Sequence, residues 1–262
     1  MKLGVYSNPQ KDPDGNVAET VYRLARERGF STEDYCDGKH YDIVVSIGGD
    51  GTILRVAKNC ALTESPILGV NKGTVGFLTE VETSDFGEAL EKIKNRDYYI
   101  ERRALIEATV HGEKQYALND VVIRGTSGRA ISISLSVGGE SIDRYTCDGY
   151  IACTPTGSTA YSLSAGGSVI SPNTPVIALT PINPHTLRAR PIVVGSFENI
   201  AMTYDGSFGA AVFIDGDKAI ELSVGDKVSV TGWDRSALFV RFGHKSFYSR
   251  LLGKLDAHSA VK

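Results

Sequence analysis

No stretch of the chain approaches the ~18 consecutive apolar residues that a membrane-spanning helix needs, which excludes an integral helical membrane protein. The opening residues carry one cation and reach Ser7, Asn8 and Pro9 before an apolar run can form, so a secretory signal is excluded and a cytoplasmic protein is expected. Cysteine is sparse: Cys36, Cys60, Cys147 and Cys153 are scattered without a Cys-x-x-Cys pair. That argues against zinc and disulfides and for four reduced thiols packed as small buried hydrophobes. His40, His111, His185, His244 and His258 lack metal-ligand spacing, and no Ser-His-Asp set can be argued, so metallohydrolase and serine-hydrolase chemistry have no support. Positive charge is not in excess either, with Lys+Arg 28 against Asp+Glu 31 and a pI near 6.0. Nucleic acid is therefore not an expected partner, and Arg102-Arg103 reads as an ordinary solvated pair. Fixed-period repeats and low-complexity tracts are missing, which disfavours a solenoid or an interaction tail.

What remains is a globular composition, 42% hydrophobic and 23% charged over 262 residues. That length suits one large or two ordinary domains of about 100–200 residues. Leu3 to Tyr6 reads as a short strand. Asn16 followed by Glu19 makes a capping-box signature ahead of Val17, Val21, Leu24 and Ala25 on one helical face, and Gly29 ends that helix. Ile43-Val44-Val45-Ser46-Ile47 is a continuous, largely β-branched run, as in a parallel strand covered on both faces. Ile53, Val56, Ala57 and Cys60 then fall at helical spacing, and Pro66 to Val70 returns as a strand. This is βαβ architecture. From about Tyr98 onward short alternating runs take over, among them Tyr116 to Ile123, Ile131 to Val137, Val212 to Ile214 and Lys227 to Val230. An antiparallel β domain is expected there, with a boundary near residue 100.

Gly48-Gly49-Asp50-Gly51-Thr52 stands between the β-branched run and the following helix. Glycines let backbone approach a ligand closely, and free N–H groups at a helix start favour phosphate. A phosphate cradle needs no carboxylate, so Asp50 suits orienting a hydroxyl and taking its proton late in a phosphoryl transfer. Helix capping by Asp50 or Thr52 is the alternative. The string is neither Gly-x-Gly-x-x-Gly nor a Walker loop, which weakens a dehydrogenase reading. Further on, Thr154-Pro155-Thr156-Gly157-Ser158-Thr159-Ala160-Tyr161 joins a turn to clustered hydroxyls and an aromatic, then runs through Ser162, Leu163, Ser164, Ala165, Gly166 and Gly167. A planar base could lie against Tyr161 while Thr159 and Ser164 supply hydrogen bonds; a small-residue helix packed on a strand is the plainer alternative. Asn119-Asp120 falls inside an otherwise apolar strand, where buried polar groups need partners such as a ribose diol. Asp148-Gly149 reads most simply as a hairpin turn.

Together these segments resemble the NAD kinase family, enzymes that phosphorylate the adenosine 2′-hydroxyl of NAD. The resemblance is carried by the Gly-Gly-Asp-Gly-Thr turn, Gly69-Val70-Asn71 through Gly76-Phe77-Leu78-Thr79, Leu118-Asn119-Asp120, Asp148-Gly149 leading into Thr154 to Gly167, and Pro184-His185-Thr186-Leu187 to Arg190-Pro191. It implies an α/β plus all-β fold: a Rossmann-like α/β domain over 1–99, rejoined by the tail from about 236 to 262, and a sandwich-like antiparallel β domain over 100–235. It further implies that Asp50 is the general base and touches the acceptor ribose with Gly51, and that Gly48, Gly49, Gly51, Thr52 and Arg55 serve phosphate or ATP. Asn119 and Asp120 would hold ribose hydroxyls, Thr159, Ala160, Tyr161, Ser162, Leu163 and Ser164 would line the dinucleotide pocket with Phe77 and Asp217, and Asp148 would bond the nicotinamide end. ATP with Mg²⁺, or polyphosphate, would be the donor, and the enzyme would be a homodimer or homotetramer whose pockets a neighbouring subunit completes. No resident metal site, nucleic acid or membrane partner is implied.

Three positions depart from the family pattern: Thr146 where a basic residue is frequent, a contact Arg144 could take over, Asp120 for the commoner Glu, and Asp217 for an amide. A lipid kinase of the diacylglycerol or sphingosine type shares the Gly-Gly-Asp-Gly-Thr turn but lacks the polar, small-residue string. A non-catalytic NAD sensor would gain little from Asp50.

Overall fold

The β-branched run folds as β3 (Ile43–Ile47), buried along its whole length. In a computed structural model describing residues 1–71, 76–243 and 247–259, the chain divides into two compact units, 1–102 with 237–262 and 103–236. In the first unit, β1 (Lys2–Ser7), α1 (Asn16–Glu27), β2 (Ser31–Asp34), β3, α2 (Asp50–Thr63), β4 (Ile67–Asn71), the short β5 (Val81–Glu82) and α3 (Phe86–Lys94) follow in order. The strands align as β2-β1-β3-β4, all parallel, with β5 beside β4. Parallel neighbours need crossovers, and here the helices supply them. Strand alternation sends Ile43, Val45 and Ile47 toward a core shared with Val17, Val21 and Ala25 of α1 and Phe86, Leu90 and Ile93 of α3. The opposite face takes α2, whose Ile53, Val56, Ala57 and Cys60 are buried. Gly69 lets α2 seat closely, since a Cβ there would meet the Ile53 side chain at 2.7 Å.

The capping-box expectation for α1 is corrected. Asn16 is the first helical residue, Gly15 precedes it in the left-handed region at φ 68°, and no adjacent side chain caps the helix. The orphan N–H groups of Val17 and Ala18 donate instead to the Asp12 carboxylate, at 3.1 and 2.9 Å. Gly29, at φ 83°, follows the helix end. Cys60, Cys147 and Cys153 are buried, but Cys36 is exposed because its segment lies outside any element.

The second unit begins within β6 (Tyr99–Val110), which pairs antiparallel with β7 (Glu113–Ala117) across a two-residue turn, His111-Gly112, with positive φ at both positions. Next come β8 (Asp120–Gly125), β9 (Ile131–Val137), β10 (Glu140–Cys147), β11 (Gly149–Cys153), the one-turn helix α4 (Tyr161–Ser164), β12 (Val176–Ile182), β13 (Ile192–Gly195), β14 (Ile200–Tyr204), β15 (Ala210–Ile214), β16 (Lys218–Leu222) and β17 (Lys227–Arg241). One antiparallel sheet runs β13-β12-β11-β8-β15-β16, and a second set pairs β10, β9, β14 and the start of β17. Ile123, Tyr150, Leu179 and Val212 from the first meet Ile133, Leu135, Met202 and Val230 from the second in one apolar core. The far end of β17, Ala237 onward, belongs to the first unit, where Phe239 pairs with Ile67, and α5 (Phe247–Ser259) follows.

Three further expectations change. Tyr116 to Ile123 is two strands, broken at Leu118-Asn119. Asp148-Gly149 is not a hairpin turn: β10 pairs with β9 whereas β11 pairs with β8 and β12, so the chain changes sheets at Asp148. Gly149 is needed because a Cβ there would meet the Ile123 carbonyl at 2.5 Å. Arg103 is not solvated; it is 4% exposed, with Nη1 3.4 Å from the Thr156 hydroxyl, while Arg102 is exposed.

Candidate active site

In the first unit the turn after β3 puts Asp50 at the first position of α2, where a negative charge complements the helix N-terminus. Its carboxylate accepts three successive backbone N–H groups, from Phe77 at 2.8 Å, Leu78 at 3.0 Å and Thr79 at 3.3 Å. Gly76 permits this embrace, because a Cβ at that position would overlap the carboxylate. Gly48 is held near φ 150° and a Cβ there would overlap Thr52; Gly49 is the residue before the helix. Gly51 and Arg55 are exposed on α2, four residues apart and so on one face. Thr52 is buried, its hydroxyl accepting from Asn8 Nδ2 at 3.3 Å. Phe77 packs 6.5 Å from the ring of Phe247.

Behind this loop lies a cluster that sequence inspection missed. Arg241 is 1% exposed and donates to the Leu78 carbonyl and Glu80 at 2.9 Å each and to Glu101 at 2.7 Å. Leu78 is thus held through its N–H by Asp50 and through its carbonyl by Arg241. Arg250 adds a 2.7 Å bond to Glu80. Nothing in the local pattern around residue 241 separates it from any other strand cation.

In the second unit, the two-residue period of β8 puts Asp120, Val122 and Arg124 on the outer face of its sheet. With Asn119, Tyr161, Phe213, Asp215 and Gly216 they line a pocket of about 290 Å³. Asn119, Asp120 and Tyr161, singled out in the sequence, thus share one pocket; Arg124, Phe213 and Asp215 were not anticipated. The Asp215-Gly216 turn has φ of 49° and 78°, and Asp215 turns its carboxylate under the strand break to accept N–H groups from Leu118 at 2.8 Å, Asn119 at 2.7 Å and Asp120 at 3.1 Å. Burial, and then the Asp215 charge, push Asp120 up to about 7. Burial pushes Asp215 up to about 6 against the pull of the three N–H donors. An Asp-Gly pair between two strands was a legible turn signal; its reach to residues 118–120 was not.

The other anticipated residues of this unit are not among those lining the pocket. Gly157 to Thr159 form a 3₁₀ turn leading into α4. Thr159 donates to the Thr156 carbonyl at 3.2 Å, Ala160 and Leu163 are half-buried, and Ser164 is exposed. The Ser162 hydroxyl is buried against that of Thr180 at 2.9 Å. Asp148 is exposed and accepts from Asn183 at 2.9 Å; Asp217 is exposed at the end of the turn. Thr146 is exposed, and Arg144 stands 3.7 Å from Asp205. Among the described residues no group of three or more His, Cys, Asp or Glu side chains could hold a metal, and no helix is long and apolar enough to cross a membrane.

The family model of the ATP-NAD kinase N-terminal domain matches residues 7–98, and that of the C-terminal domain matches residues 118–242. The chain belongs to the NAD kinase family. It is 42% identical over 225 residues to the NAD kinase of Heliobacterium modesticaldum, covering 83% of this chain and 80% of that protein. The NAD kinase of Caldicellulosiruptor bescii is 33% identical, over 97% of this chain and 99% of that one. Among solved structures, an NAD kinase from Archaeoglobus fulgidus in complex with ATP matches with a TM-score of 0.82 and 28% identity, over 98% and 99% of the two chains. Yeast NADH kinase complexed with NADH shares the fold at a TM-score of 0.83 and 23% identity, covering 100% of this chain and 89% of that one. Membership of the NAD kinase family makes this chain an enzyme with a Rossmann-like α/β domain and an antiparallel β domain.

Proposed function

We propose that this enzyme transfers the γ-phosphoryl group of ATP to the adenosine 2′-hydroxyl of NAD, giving NADP, with Asp50 as general base. The observation that carries this reading is Asp50 itself, an acid fixed by three N–H donors at the start of α2 in a turn suited to phosphate. A base whose orientation is settled before the substrate arrives contributes to the rate by avoiding reorganisation. It orients the hydroxyl and accepts its proton as the bond to phosphorus forms; the bond from phosphorus to the β-phosphate oxygen breaks, and ADP departs. The divalent cation arrives as part of the Mg·ATP substrate and neutralises charge on the phosphates. Gly48, Gly49, Gly51 and Thr52 of the turn and Arg55 attend the donor phosphates.

In this reading Asn119 and Asp120 hold ribose hydroxyls, Tyr161 lies against a base, and Phe77, Thr159, Ala160, Ser162, Leu163, Ser164 and Asp217 complete the dinucleotide contacts, with Asp148 toward the nicotinamide. We further propose a cytoplasmic homodimer or homotetramer, to be read by sedimentation. The test is incubation of purified protein with NAD, Mg²⁺ and either ATP or polyphosphate. NADP formed with ATP is the expected result. NADP formed with polyphosphate alone reassigns the donor. NAD bound without NADP from either donor leaves a sensor and overturns the kinase reading.

A further inference from the structure

We propose that Asp215 is a positioning residue for the acceptor: it fixes the backbone of Leu118, Asn119 and Asp120 so that the Asn119 and Asp120 side chains meet the ribose of NAD. The inference rests on the reading that those two side chains bind a ribose.

The segment starts outside the sheet ladder, since β7 ends at Ala117 and β8 begins only at Asp120. Its polar backbone groups are nevertheless all bonded. The three N–H groups go to the Asp215 carboxylate, Oδ2 taking Leu118 and Oδ1 taking Asn119 and Asp120. The Asp120 carbonyl accepts from the Asp215 N–H at 2.9 Å. The remaining carbonyls go to Thr154, Leu118 accepting from the hydroxyl at 2.5 Å and Asn119 from the N–H at 2.9 Å. Two residues from two other strand ends therefore clamp one short segment from opposite sides. Gly157 is the counterpart that lets the chain close on it, because a Cβ there would overlap the Asn119 carbonyl.

Only a carboxylate serves all three donors with both oxygens. Asparagine keeps one acceptor oxygen and turns an NH₂ donor toward N–H groups, yet it tolerates the left-handed backbone found at φ 49°. Asp215→Asn thus preserves the turn and removes the clamp. The clamp therefore puts a second acid on the pocket wall beside a buried Asp120. Like charges there oppose stability, and proteins retain such conflicts at working sites.

The experiment is steady-state kinetics of the full-length enzyme and Asp215→Asn with Mg·ATP and NAD varied separately. The expected outcome is a KM for NAD raised about 10–100-fold, with the KM for ATP and kcat at saturating NAD within about threefold of wild type. A KM for NAD within twofold of wild type, or equal losses in all three parameters, overturns the positioning role. Should Asp215→Asn not fold, Thr154→Val loosens the clamp from the carbonyl side and is expected to split the constants the same way; an unchanged KM for NAD there is equally fatal. Wild-type NADP formation is measured first: its failure sinks the kinase reading, whereas an active wild type with an unaffected variant sinks only the clamp.

Discussion

Asp50 and Asp215 do the same thing at their own ends of the chain: each carboxylate gathers three consecutive backbone N–H groups. Such charge-assisted bonds fix both the side chain and the loop that donates to it. For Asp50→Asn, loss of the base predicts a kcat lower by about 10²–10⁴-fold while NAD still binds, measured by turnover alongside calorimetry. Asp120 and Asp215 give a pH dependence whose sign follows from their direction. Both ionise at higher pH in the folded protein than in the unfolded chain, so the native state binds more protons between about pH 4 and 7, and stability falls as pH rises through that window. Asp120→Asn is accordingly expected to raise Tm at pH 8 without ligand and to leave it nearly unchanged at pH 4; a lower Tm at pH 8 contradicts the buried repulsion. At this scale the turn around Asp50 was legible as a strand-to-helix junction because its glycines adjoin it in sequence, although the N–H groups that hold its carboxylate lie 27 to 29 residues further on. Asp215 and Arg241 were not, since what distinguishes them is 95 and more residues away along the chain, where Asp120 and Glu80 lie.

Element boundaries follow the same division. β3 and α2 could be read from periodicity because burial on both faces demands an unbroken apolar run and a helix demands its stripe. The start of α1 could not: Asn16 with Glu19 has the letters of a capping box, but Asp12, four residues earlier, reaches the same N–H groups across a turn that Gly15 permits. Asp12→Ala is therefore expected to destabilise the protein by about 1 kcal/mol, whereas Asn16→Ala is expected to be near neutral, both by denaturant titration. The break between β7 and β8 was hidden for a related reason. Tyr116 to Ile123 has the composition of one strand, and the interruption holds because the Asp215 carboxylate and Thr154 between them satisfy its backbone groups. Gly76→Ala should displace Asp50 from its loop and lower kcat with little change in the KM for ATP, a direct kinetic check on that closeness.

At the scale of the molecule, the alternation of helix-bearing and strand-only segments foretold an α/β part and a β part. The first unit takes its final strand from the end of the chain's longest strand: Ala237, Phe239, Val240 and Arg241 are all buried in it. Truncation after Ser236 is expected to abolish hydrogen-exchange protection in β1, β3 and β4 while sparing β8 and β11. Protection retained in β1, β3 and β4 would show that the returning strand is dispensable. The interleaving also sets an order on the ribosome. Residues 103–236 are contiguous and can close as soon as they have left the exit tunnel, whereas the first hundred residues, although made earliest, must wait for 237–243 before Arg241 can reach Glu80 and Leu78. During that delay the edge of β4 that later receives Phe239 stays uncovered, so nascent chains stalled near residue 236 should be those that co-translational chaperones hold longest.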